Sequence, residues 1–519
     1  MHAGRRALLQ TAARVAALAA MAPHLPAQAR GNGGSYPFSL GVASGSPLPD
    51  AVVIWTRLLP DPLRAESMPP LAQPVRWEVA HDEAFTRIAA RGNAVAAPEL
   101  AHSVHVDVQG LQPDRWYWYR FMAGDAVSPV GRTRTAPPAD SMPAALRLAV
   151  ASCQHWEFGH YAAHRHIAQA APDLVAFLGD YIYEWGPYSL QHPAQALRRD
   201  ECFTLAQYRA RYAQYKSDAN LQAAHRAAPW LLTWDDHEVA NDYSPERDEL
   251  LSPDFAARRM AAYQAFYEHQ PLRLTGPAGA PRLYQRYDWG QLARFHVLDT
   301  RQYRSAHACQ PPGRGGSSSV YRSECAALAD PRRSMLGMAQ EQWLARGLRS
   351  SRARWNVLAQ QTLMAQMSQV PLRGRSDGRF WTDGWDGYAA ARQRLLDALQ
   401  GCSNPLVLSG DVHTFFAAQL CRDPTRAPGA GNPVLATEFC GTSVTSTSRP
   451  QARTQQYVDM NPGLLYGRSD RRGFMLLELG PQRTTALFQA LDDARLPDSG
   501  LSTLARFTVN DGRPVPEPG

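Results

Sequence analysis

The chain has 519 residues, of which 54 are lysine or arginine and 47 are aspartate or glutamate, so its formal net charge is +7. This length predicts more than one domain and enough apolar residues for a large core. The charge excess is mild for this size, and no basic stripe interleaved with aromatic residues occurs in the sequence. We therefore expect no specific nucleic-acid partner.

The first 29 residues carry the features of an export signal. Arg5-Arg6 precedes an apolar stretch that Arg14 interrupts, and the small-residue sequence Ala27-Gln28-Ala29 closes it. This pattern predicts a twin-arginine signal peptide over residues 1–29, with the twin-arginine translocation machinery as the partner during export. The stretch is too short and too interrupted to span a membrane, so we expect no transmembrane segment and a secreted or periplasmic protein.

Residues 36–136 are predicted to form a separate N-terminal β domain. Short alternating or aromatic-rich segments predict strands at residues 52–56, 75–79, 103–108 and 116–121. The segment from Leu111 to Tyr117 resembles the tyrosine corner of fibronectin-type domains, which predicts a fibronectin-like β-sandwich. Its aromatic residues are then core residues, and a sugar-binding platform is the alternative. Residues 135–141 form the predicted linker.

From Leu146 onward, apolar strands alternate with helical segments, which is typical of an α/β domain and which we place at residues 146–510. The predicted helices are residues 205–216, 254–269, 339–350 and 388–400. The predicted strands are residues 146–152, 174–178, 230–233, 294–298, 355–360, 405–410, 434–439, 474–479, 485–490 and 505–509. In an open α/β sheet, ligands assemble outside the carboxyl ends of the strands.

Side chains of the kinds that bind metals follow four of these predicted strands. In chain order they are Cys153, then Asp180 with Tyr183, then Asp236 with His237, and finally Asp411 with His413. Residues two apart in an extended segment point the same way, so a carboxylate and an imidazole are directed to a common point after the last of these strands. Four strand ends of this composition predict a metal centre.

Each of these residues alone has an ordinary structural explanation. An aspartate after a strand is more often a turn or helix-cap residue, and a free cysteine is more often a small buried hydrophobe. The adjacent carboxylates of Asp235 and Asp236 are harder to explain in this way, because they repel each other unless a cation or a buried base neutralises them. Their combination with the other motifs favours metal binding.

The order of the motifs resembles that of the PhoD-type alkaline phosphatase and phosphodiesterase family, within the calcineurin-like metallophosphoesterases. The segments that carry the resemblance are residues 151–153, 178–184, 234–241, 298–304 and 409–413. The likeness covers nearly the whole chain after the signal peptide. It implies a two-sheet αββα metallophosphatase domain, ferric iron and calcium as cofactors, and hydrolysis of phosphomonoesters and phosphodiesters at alkaline pH.

Ligand chemistry and this resemblance together imply an iron site. The thiolate of Cys153, the phenolate of Tyr183 and the imidazole of His413 suit a strongly Lewis-acidic ion such as Fe³⁺. Asp180 would bridge from this site to a second ion.

The second ion is expected to be Ca²⁺, since Asp236, Asp411 and Asn241 offer oxygen donors. Asp236 and Asn241 are also assigned to the catalytic set together with His237, which would contact a phosphate oxygen or protonate the leaving group. A water activated by the metals would attack the phosphate held between iron and calcium. Asp235 is either a ligand or the partner of a ligand.

Several neighbouring residues are assigned structural roles. Tyr181 is expected to pack in the core, and Arg301 to pair with Asp299. The histidines that follow Cys153 are predicted to lie on a helix surface, with a further metal site as the alternative; they are His155, His160, His164 and His166.

An exported enzyme meets an oxidising compartment, where disulfides form. Cys309 and Cys325 flank a Gly/Ser-rich loop at residues 314–319, predicted to be flexible, and form the best candidate pair. The pairing of the other cysteines stays open. The sequence also shows no clear C-terminal helix of the kind that covers the site in some relatives.

The predicted function is an exported metal-dependent phosphoester hydrolase, an alkaline phosphatase with phosphodiesterase activity. Two alternatives stay open. One is a phosphodiesterase specialised for lipid or teichoic-type polymers. The other is a non-catalytic surface-binding protein in which the metals only hold the fold.

The export signal yields the first testable prediction. Replacing both arginines of the pair, Arg5→Lys with Arg6→Lys, should leave the protein in the cytoplasm, because that route reads the arginine pair. The measurement is the distribution of the protein between cytoplasmic and exported fractions. Arg14→Lys, outside the pair, is the matched control and should be exported normally. Unchanged export of the double variant would show that another route is used.

Overall fold

A computed structural model describes residues 36–185, 201–273, 282–372 and 377–519. The predicted signal peptide at residues 1–29 lies outside the described residues. Within these ranges, no helix is both long enough and apolar enough to cross a membrane.

The described residues form 24 strands and seven α-helices. The strands are β1 (Val42–Gly45), β2 (Ala51–Arg57), β3 (Gln73–Ala80), β4 (Ile88–Ala96), β5 (Ser103–Gln109), β6 (Trp116–Ala123), β7 (Ala126–Val127), β8 (Gly131–Arg134), β9 (Leu146–Ala151), β10 (Leu174–Phe177), β11 (Trp230–Leu232), β12 (Gln285–Trp289), β13 (Ala293–Val297), β14 (Ser319–Tyr321), β15 (Trp355–Thr362), β16 (Arg379–Trp381), β17 (Pro405–Gly410), β18 (Phe415–Cys421), β19 (Val434–Cys440), β20 (Leu464–Arg468), β21 (Gly473–Leu479), β22 (Arg483–Leu491), β23 (Leu501–Asn510) and β24 (Arg513–Pro518). The helices are α1 (Ala162–Gln169), α2 (Leu205–Lys216), α3 (Ala219–Ala227), α4 (Phe255–His269), α5 (Gly337–Arg349), α6 (Ala389–Leu399) and α7 (Gln451–Met460).

The predicted helices and strands of the α/β part are present, with boundaries within a few residues. The helix predicted at residues 205–216 is α2, which begins at a capping box formed by Thr204 and Gln207. The strand predicted at residues 505–509 is the second half of β23, and the chain continues into β24, which is also a strand.

Three short apolar strands, β9, β10 and β11, form the parallel centre of the larger sheet. This ten-stranded sheet has the order β24-β23-β22-β21-β9-β10-β11-β1-β2-β5. Every residue of β10 and β11 is buried, because the sheet is covered on both faces. The carboxyl ends of these strands therefore open at one common edge.

The second sheet packs face to face on the first. Its order is β12-β13-β15-β17-β19-β18-β20, with β13, β15, β17 and β19 parallel. Apolar residues of both sheets, such as Leu148, Phe295 and Phe488, share one core between them. Helices α1–α4 cover the outer face of the larger sheet, and α5–α7 cover that of the smaller one. The mixed α/β fold predicted from the sequence is confirmed.

The N-terminal strands do not form a closed unit. A five-stranded sheet of β4, β3, β6 and β7, with β8 paired to β6, packs against β1, β2 and β5 over a shared apolar core. However, β1 also pairs in parallel with β11, through Gly45 and Trp230. The sheet that carries the N-terminal residues is thus the same sheet that carries the central strands.

The aromatic residues of β6 divide between core and surface as alternation requires. Tyr117, Tyr119 and Phe121 are fully buried, whereas Trp116 is partly exposed and stacks under Arg132. The Tyr117 hydroxyl accepts a hydrogen bond from the backbone N–H of Gln112 at 2.8 Å, as a tyrosine corner does. The prediction that the aromatic residues of this segment are core residues therefore agrees with the burial of Tyr117, Tyr119 and Phe121.

Cys309 and Cys325 form a disulfide, as predicted. The remaining cysteines of the described residues are free thiols, namely Cys153, Cys202, Cys402, Cys421 and Cys440. The disulfide closes a short loop, with a sequence separation of 16.

Removing this disulfide should destabilise the fold. In the double variant Cys309→Ser with Cys325→Ser, the free energy of unfolding should fall by about 3 kcal/mol, because the unfolded chain regains the entropy that the closed loop denied it. Chemical denaturation under oxidising conditions measures the change. Cys402→Ser, which removes a free and partly buried thiol, is the matched control and should change stability far less. An unchanged denaturation midpoint of the double variant would contradict the prediction.

Candidate metal centre

The predicted site residues meet where four strands end. Cys153, Asp180 and Asp236 follow the parallel neighbours β9, β10 and β11, and Asp411 directly follows β17 of the opposite sheet. The two sheets touch closely here: a Cβ atom at Gly410 would lie 2.3 Å from Ser152 Oγ. Only glycine leaves room for the strand ends to approach in this way.

One group of ligand-type atoms joins residues that are distant in the sequence. Cys153, Asp180 and His413 each offer a ligand atom, and these atoms lie within 4.8 Å of one another. Tyr183 Oη joins the group, at 2.9 Å from Asp180 Oδ2 and 3.2 Å from His413 Nε2. The residues expected to bind iron and the expected bridging carboxylate are therefore neighbours.

A second group shares Asp180 with the first. Ligand atoms of Asp180, Asp236 and His237 lie within 4.8 Å of one another. Asp411 is not part of this group, although the charges of Asp235 and Asp236 act on its carboxyl. Asn241 lies beside the group, where its backbone N–H donates to Glu184 Oε1 at 2.7 Å.

A third group of ligand-type atoms is formed by Asp236, Asp242 and Asp383, and two of its members, Asp242 and Asp383, were not predicted from the sequence. Asp242 donates its backbone N–H to Asp236 Oδ2 at 2.7 Å, and its position directly after Asn241 is a signal that sequence reading could have used. Asp383 had no such signal, because it follows the three-residue strand β16 rather than a buried apolar run.

The backbone at the site is strained. The residues Cys153, Asp180, Asp242, Asp411 and His413 all have φ between 49° and 63°, in the left-handed region that side chains disfavour. Gly179 has a φ of 110°, and a Cβ atom there would lie 2.5 Å from Asp235 Cβ. Strain of this kind persists where the surrounding structure fixes it, and it concentrates at functional sites.

Burial opposes ionisation of the ligand-type acids. Burial, and then the neighbouring Asp180 carboxylate, raises the pKa of the Cys153 thiol and of the Tyr183 phenol well above their usual values. Burial likewise raises the pKa of Asp180 and Asp411 well above the usual range, with nearby carboxylates adding to the effect. A bound cation reverses this balance, because it stabilises each charged form directly.

His413 is set up as a neutral ligand. Burial, followed by the charge of Arg472, lowers the pKa of His413 to about 3. Its Nδ1 lies 2.6 Å from the carbonyl oxygen of Thr447, so the ring proton resides on Nδ1. Nε2 therefore presents a lone pair toward Tyr183 and the first group, as is usual for a metal-ligating histidine.

Among the described residues, two buried carboxylate oxygens of the site have neither a hydrogen bond nor an ion pair with an arginine or lysine: Asp180 Oδ1 and Asp411 Oδ2. Asp236 Oδ1 also accepts no hydrogen bond, but it lies 3.3 Å from Arg301 Nη2. Buried carboxylates are normally paired, hydrogen-bonded or bound to a metal ion. With a thiol, a phenol and a neutral imidazole beside them, these oxygens fit a centre that holds metal cations.

Arg301 has a different partner from the one predicted. Only its backbone N–H contacts Asp299, at 2.9 Å from Oδ1. Its guanidinium forms a bidentate pair with Asp383, with both N–O distances 2.8 Å, and also binds Asp235. Arg301 is fully buried, and its guanidinium also lies 3.3 Å from Asp236 Oδ1, so three carboxylates surround it. Asp235 is thus a partner of Arg301, whereas Asp236 contacts Arg301 and also belongs to two of the ligand groups.

Glu184 holds the catalytic candidate His237. Glu184 Oε2 lies 2.7 Å from His237 Nδ1, so the ring proton on Nδ1 faces the carboxylate and Nε2 is left for the site. Burial alone would lower the pKa of His237, but the charges of Glu184, Asp236 and Asp180 outweigh it and raise that pKa well above the usual value. Glu184 thus orients the imidazole and favours its protonated form.

Tyr181 packs as predicted: it is fully buried against Phe177 and Tyr212, and its hydroxyl lies 2.7 Å from His225 Nε2.

The prediction that the histidines after Cys153 lie on a helix surface is wrong for His155 and His164, which are buried. His155 precedes a 3-10 turn, and its ring packs 4.3 Å from that of Tyr183. His164 lies on the inner side of α1, where its Nε2 is 2.6 Å from Gln154 Oε1. Both rings have a polar partner inside the core, Glu157 for His155 and Gln154 for His164, which offsets the cost of burying them.

The Gly/Ser-rich loop at residues 314–319 is held at the site, where flexibility was predicted. Ser317 Oγ binds the Asp242 carboxylate and accepts from Trp381 Nε1 at 2.8 Å. Ser318 N–H donates to Thr382 Oγ1 at 2.9 Å, and Ser319 begins β14. Pairing of β14 with β16 brings the loop to the third acidic group.

The two-sheet fold with buried acids at the strand ends is that of a metallophosphatase. A purple acid phosphatase from yellow lupin seeds, PPD1, has a similar fold, with a TM-score of 0.57 over 92% of this chain and 74% of that one at 11% identity. Family models place this likeness more narrowly. The PhoD-like phosphatase model matches residues 148–488, and the model of the PhoD-like phosphatase N-terminal domain matches residues 24–137.

The chain belongs to the PhoD-like phosphatase family and is a phosphoric ester hydrolase. It is 42% identical over 523 residues to alkaline phosphatase D of Bacillus subtilis (strain 168), and the aligned region covers 97% of this chain and 87% of that protein. A solved structure of PhoD matches with a TM-score of 0.86 and 41% identity, over 94% of this chain and 93% of that one. The family predicted from the sequence is confirmed, and its fold class implies metal ions.

The Glu184–His237 contact yields a prediction for catalysis. In Glu184→Gln the carboxylate charge is lost, so the pKa of His237 should fall and the imidazole should lose its proton at a lower pH. The rate of ester hydrolysis should drop on the order of tenfold or more, with the alkaline limb of the kcat profile moved to lower pH. Metal content should stay unchanged.

The matched control is Glu78→Gln, which removes a glutamate paired with Arg120 in the N-terminal sheet. This variant should retain the wild-type pH profile. A Glu184→Gln enzyme with the wild-type rate and an unshifted profile would show that Glu184 does not act through His237.

Proposed function

We propose that this phosphatase is exported, hydrolyses both phosphomonoesters and phosphodiesters, and works with one Fe³⁺ and Ca²⁺. The observation that carries the proposal is the meeting of a thiol, a phenol, an imidazole and a carboxylate. The ligand atoms of Cys153, Asp180 and His413 lie within 4.8 Å of one another, with Tyr183 Oη 2.9 Å from Asp180. This donor set suits a ferric ion better than a hard divalent ion.

The ligands divide by donor type. Cys153, Tyr183 and His413 would hold the iron, and Asp180 would serve both ions. The calcium would be held by oxygen donors, from Asp236, Asn241 and Asp411. When bound, the ions neutralise the charge of the phosphate and lower the pKa of water, so that a nucleophile is available at working pH.

The chain's own contribution to proton transfer is His237. Its Nδ1 proton faces Glu184 at 2.7 Å, and the carboxylate charge raises the pKa of the ring, which favours a second proton on Nε2. A protonated Nε2 beside Asp180 and Asp236 can bind a phosphate oxygen or protonate the leaving oxygen. A serine nucleophile is not needed.

The same proposal assigns the parts of the chain. Residues 1–29 are the twin-arginine signal peptide, residues 36–136 a fibronectin-like β-sandwich, and residues 146–510 the metallophosphatase domain. Family matches at residues 24–137 and 148–488 support this division. The Tyr117 hydrogen bond to the backbone of Gln112 supports the fibronectin-like assignment.

The purified enzyme should be coloured, because a ferric phenolate absorbs visible light through charge transfer. Tyr183→Phe should abolish or shift this absorption, and Cys153→Ala should lower the iron content. Absorption spectra and elemental analysis of iron, calcium and zinc measure both effects. Rates on one phosphomonoester and one phosphodiester, measured on the same samples, test the activity.

Tyr181→Phe is the matched control, since it removes a buried phenol two residues away that contacts His225 and no ligand group. It should keep both colour and iron. A colourless and fully active enzyme that contains only zinc would overturn the iron–calcium assignment. Turnover of the monoester without any turnover of the diester would overturn the diesterase part.

A further inference from the structure

A polar cleft of about 420 Å³ lies beside the candidate metal centre and has no part in the mechanism above. Its walls come from the turn between β19 and α7, the turn before β21, and residues 491–495, which begin at the last residue of β22. The basic side chains that line it are Arg449, Arg471, Arg472 and Arg495, and the acidic ones are Asp470, Asp492 and Asp493.

The cleft shares residues with the surroundings of the metal centre. Thr447 lines the cleft, and its carbonyl oxygen lies 2.6 Å from His413 Nδ1. The hydroxyl of Thr442 lies 3.2 Å from the carbonyl oxygen of His413 and 2.9 Å from that of Arg471. The cleft therefore adjoins the candidate ligand His413, on the side of its Nδ1.

Charges in the cleft do not cancel locally. Asp493 pairs with Arg495, and Asp470 pairs with Arg468 just outside the cleft. Among the described residues, Arg449, Arg471 and Arg472 form no ion pair with any carboxylate. Asp492 receives a hydrogen bond from Arg471, but through its backbone carbonyl oxygen. The cleft thus carries an excess of positive charge.

Arg449 is the group least satisfied by the protein itself. It is partly buried and packs against the ring of Tyr457, with the guanidinium carbon 5.4 Å from the ring centroid. Its one hydrogen-bond acceptor in the described part of the chain is the sulfur of Met367, at 3.9 Å. A guanidinium removed from bulk water in this way is stabilised by an anion, ideally one with several oxygens.

We propose that this cleft binds a second anionic group of the substrate, namely a phosphate on the alcohol that remains attached during diester cleavage. The inference rests on the proposed function and deepens it, because it names the class of diester preferred. An ester that carries a second phosphate places one at the metal centre and the other against Arg449 and Arg471. A diester with a short uncharged alcohol leaves the cleft unfilled.

Two p-nitrophenyl phosphodiesters test this proposal, one with an ethyl group and one with a 2-phosphonoethyl group as the second alcohol. The phosphonate cannot be hydrolysed, so release of p-nitrophenol reports one reaction for both. For the metal-loaded wild-type enzyme, kcat/KM should be roughly tenfold or more higher for the phosphonoethyl ester, mainly through a lower KM. Arg449→Gln should bring the ratio of the two kcat/KM values close to one, and Arg449→Lys should retain part of it.

Arg471→Gln, at an exposed position of the cleft, should also lower the ratio and serves if Arg449→Gln does not fold. Arg332→Gln is the matched control, because Arg332 is exposed and pairs with Asp330 outside the cleft. It should keep the wild-type ratio. A wild-type ratio of one, or a high ratio that neither Arg449→Gln nor Arg471→Gln lowers, would overturn the cleft proposal while leaving the diesterase intact. Failure of the metal-loaded enzyme to hydrolyse either diester would instead reject the diesterase activity itself.

Discussion

The structure depends on how negative charge is compensated where β9, β10, β11 and β17 end. Arg301 balances one part of that charge, since its guanidinium contacts Asp235, Asp236 and Asp383 together. Among the described side chains, no arginine or lysine forms an ion pair with Asp180 or Asp411. Burial raises the pKa of both carboxyls well above the usual range, so a bound cation would stabilise their charged forms. The protein supplies a fixed cation on one side of the centre and leaves the other side to bound ions.

The backbone contributes to this arrangement before any ion binds. The backbone is held in the left-handed φ region at four residues that would leave it in a free peptide, namely Cys153, Asp180, Asp411 and His413. The two sheets that carry these residues bury their facing apolar side chains in the shared core that includes Leu148 and Phe488. Strain at the strand ends is therefore offset by packing elsewhere, which is the usual way in which a preformed site is maintained.

Sequence reading succeeded wherever local pattern and position in the sheet agreed. The apolar runs of β9, β10, β11 and β17 were recognisable, and the rule that ligands assemble at carboxyl ends brought their acids together. It failed where burial depends on a distant partner. Asp383 is buried because it pairs with Arg301, a residue 82 positions away in the chain, and no local sequence pattern predicts such a pair.

The histidines after Cys153 illustrate the same difficulty. A helical segment with several histidines and few large apolar residues favours a surface, yet His164 lies inside because Gln154 satisfies its ring nitrogen. The Gly/Ser-rich loop favours flexibility, yet Ser317 bonds the carboxylate of Asp242. In each case composition described the isolated segment, whereas one hydrogen-bond partner elsewhere in the fold decided its environment.

The pairing of β1 with β11 has a consequence for cutting the chain into parts. With residues 36–136 removed, β11 would become the edge of the larger sheet, and its unpaired backbone groups, flanked by Trp230 and Leu231, would be open to pairing with another chain. The same deletion would remove Trp55 of β2, whose ring contacts the ammonium group of Lys216 and whose Nε1 donates to the carbonyl oxygen of Glu268. The buried ammonium group of Lys216, the single lysine in the sequence, would then be uncovered. The chain without residues 36–136 would thus be prone to aggregate. In the intact protein, β1 covers the edge of β11 and prevents such pairing.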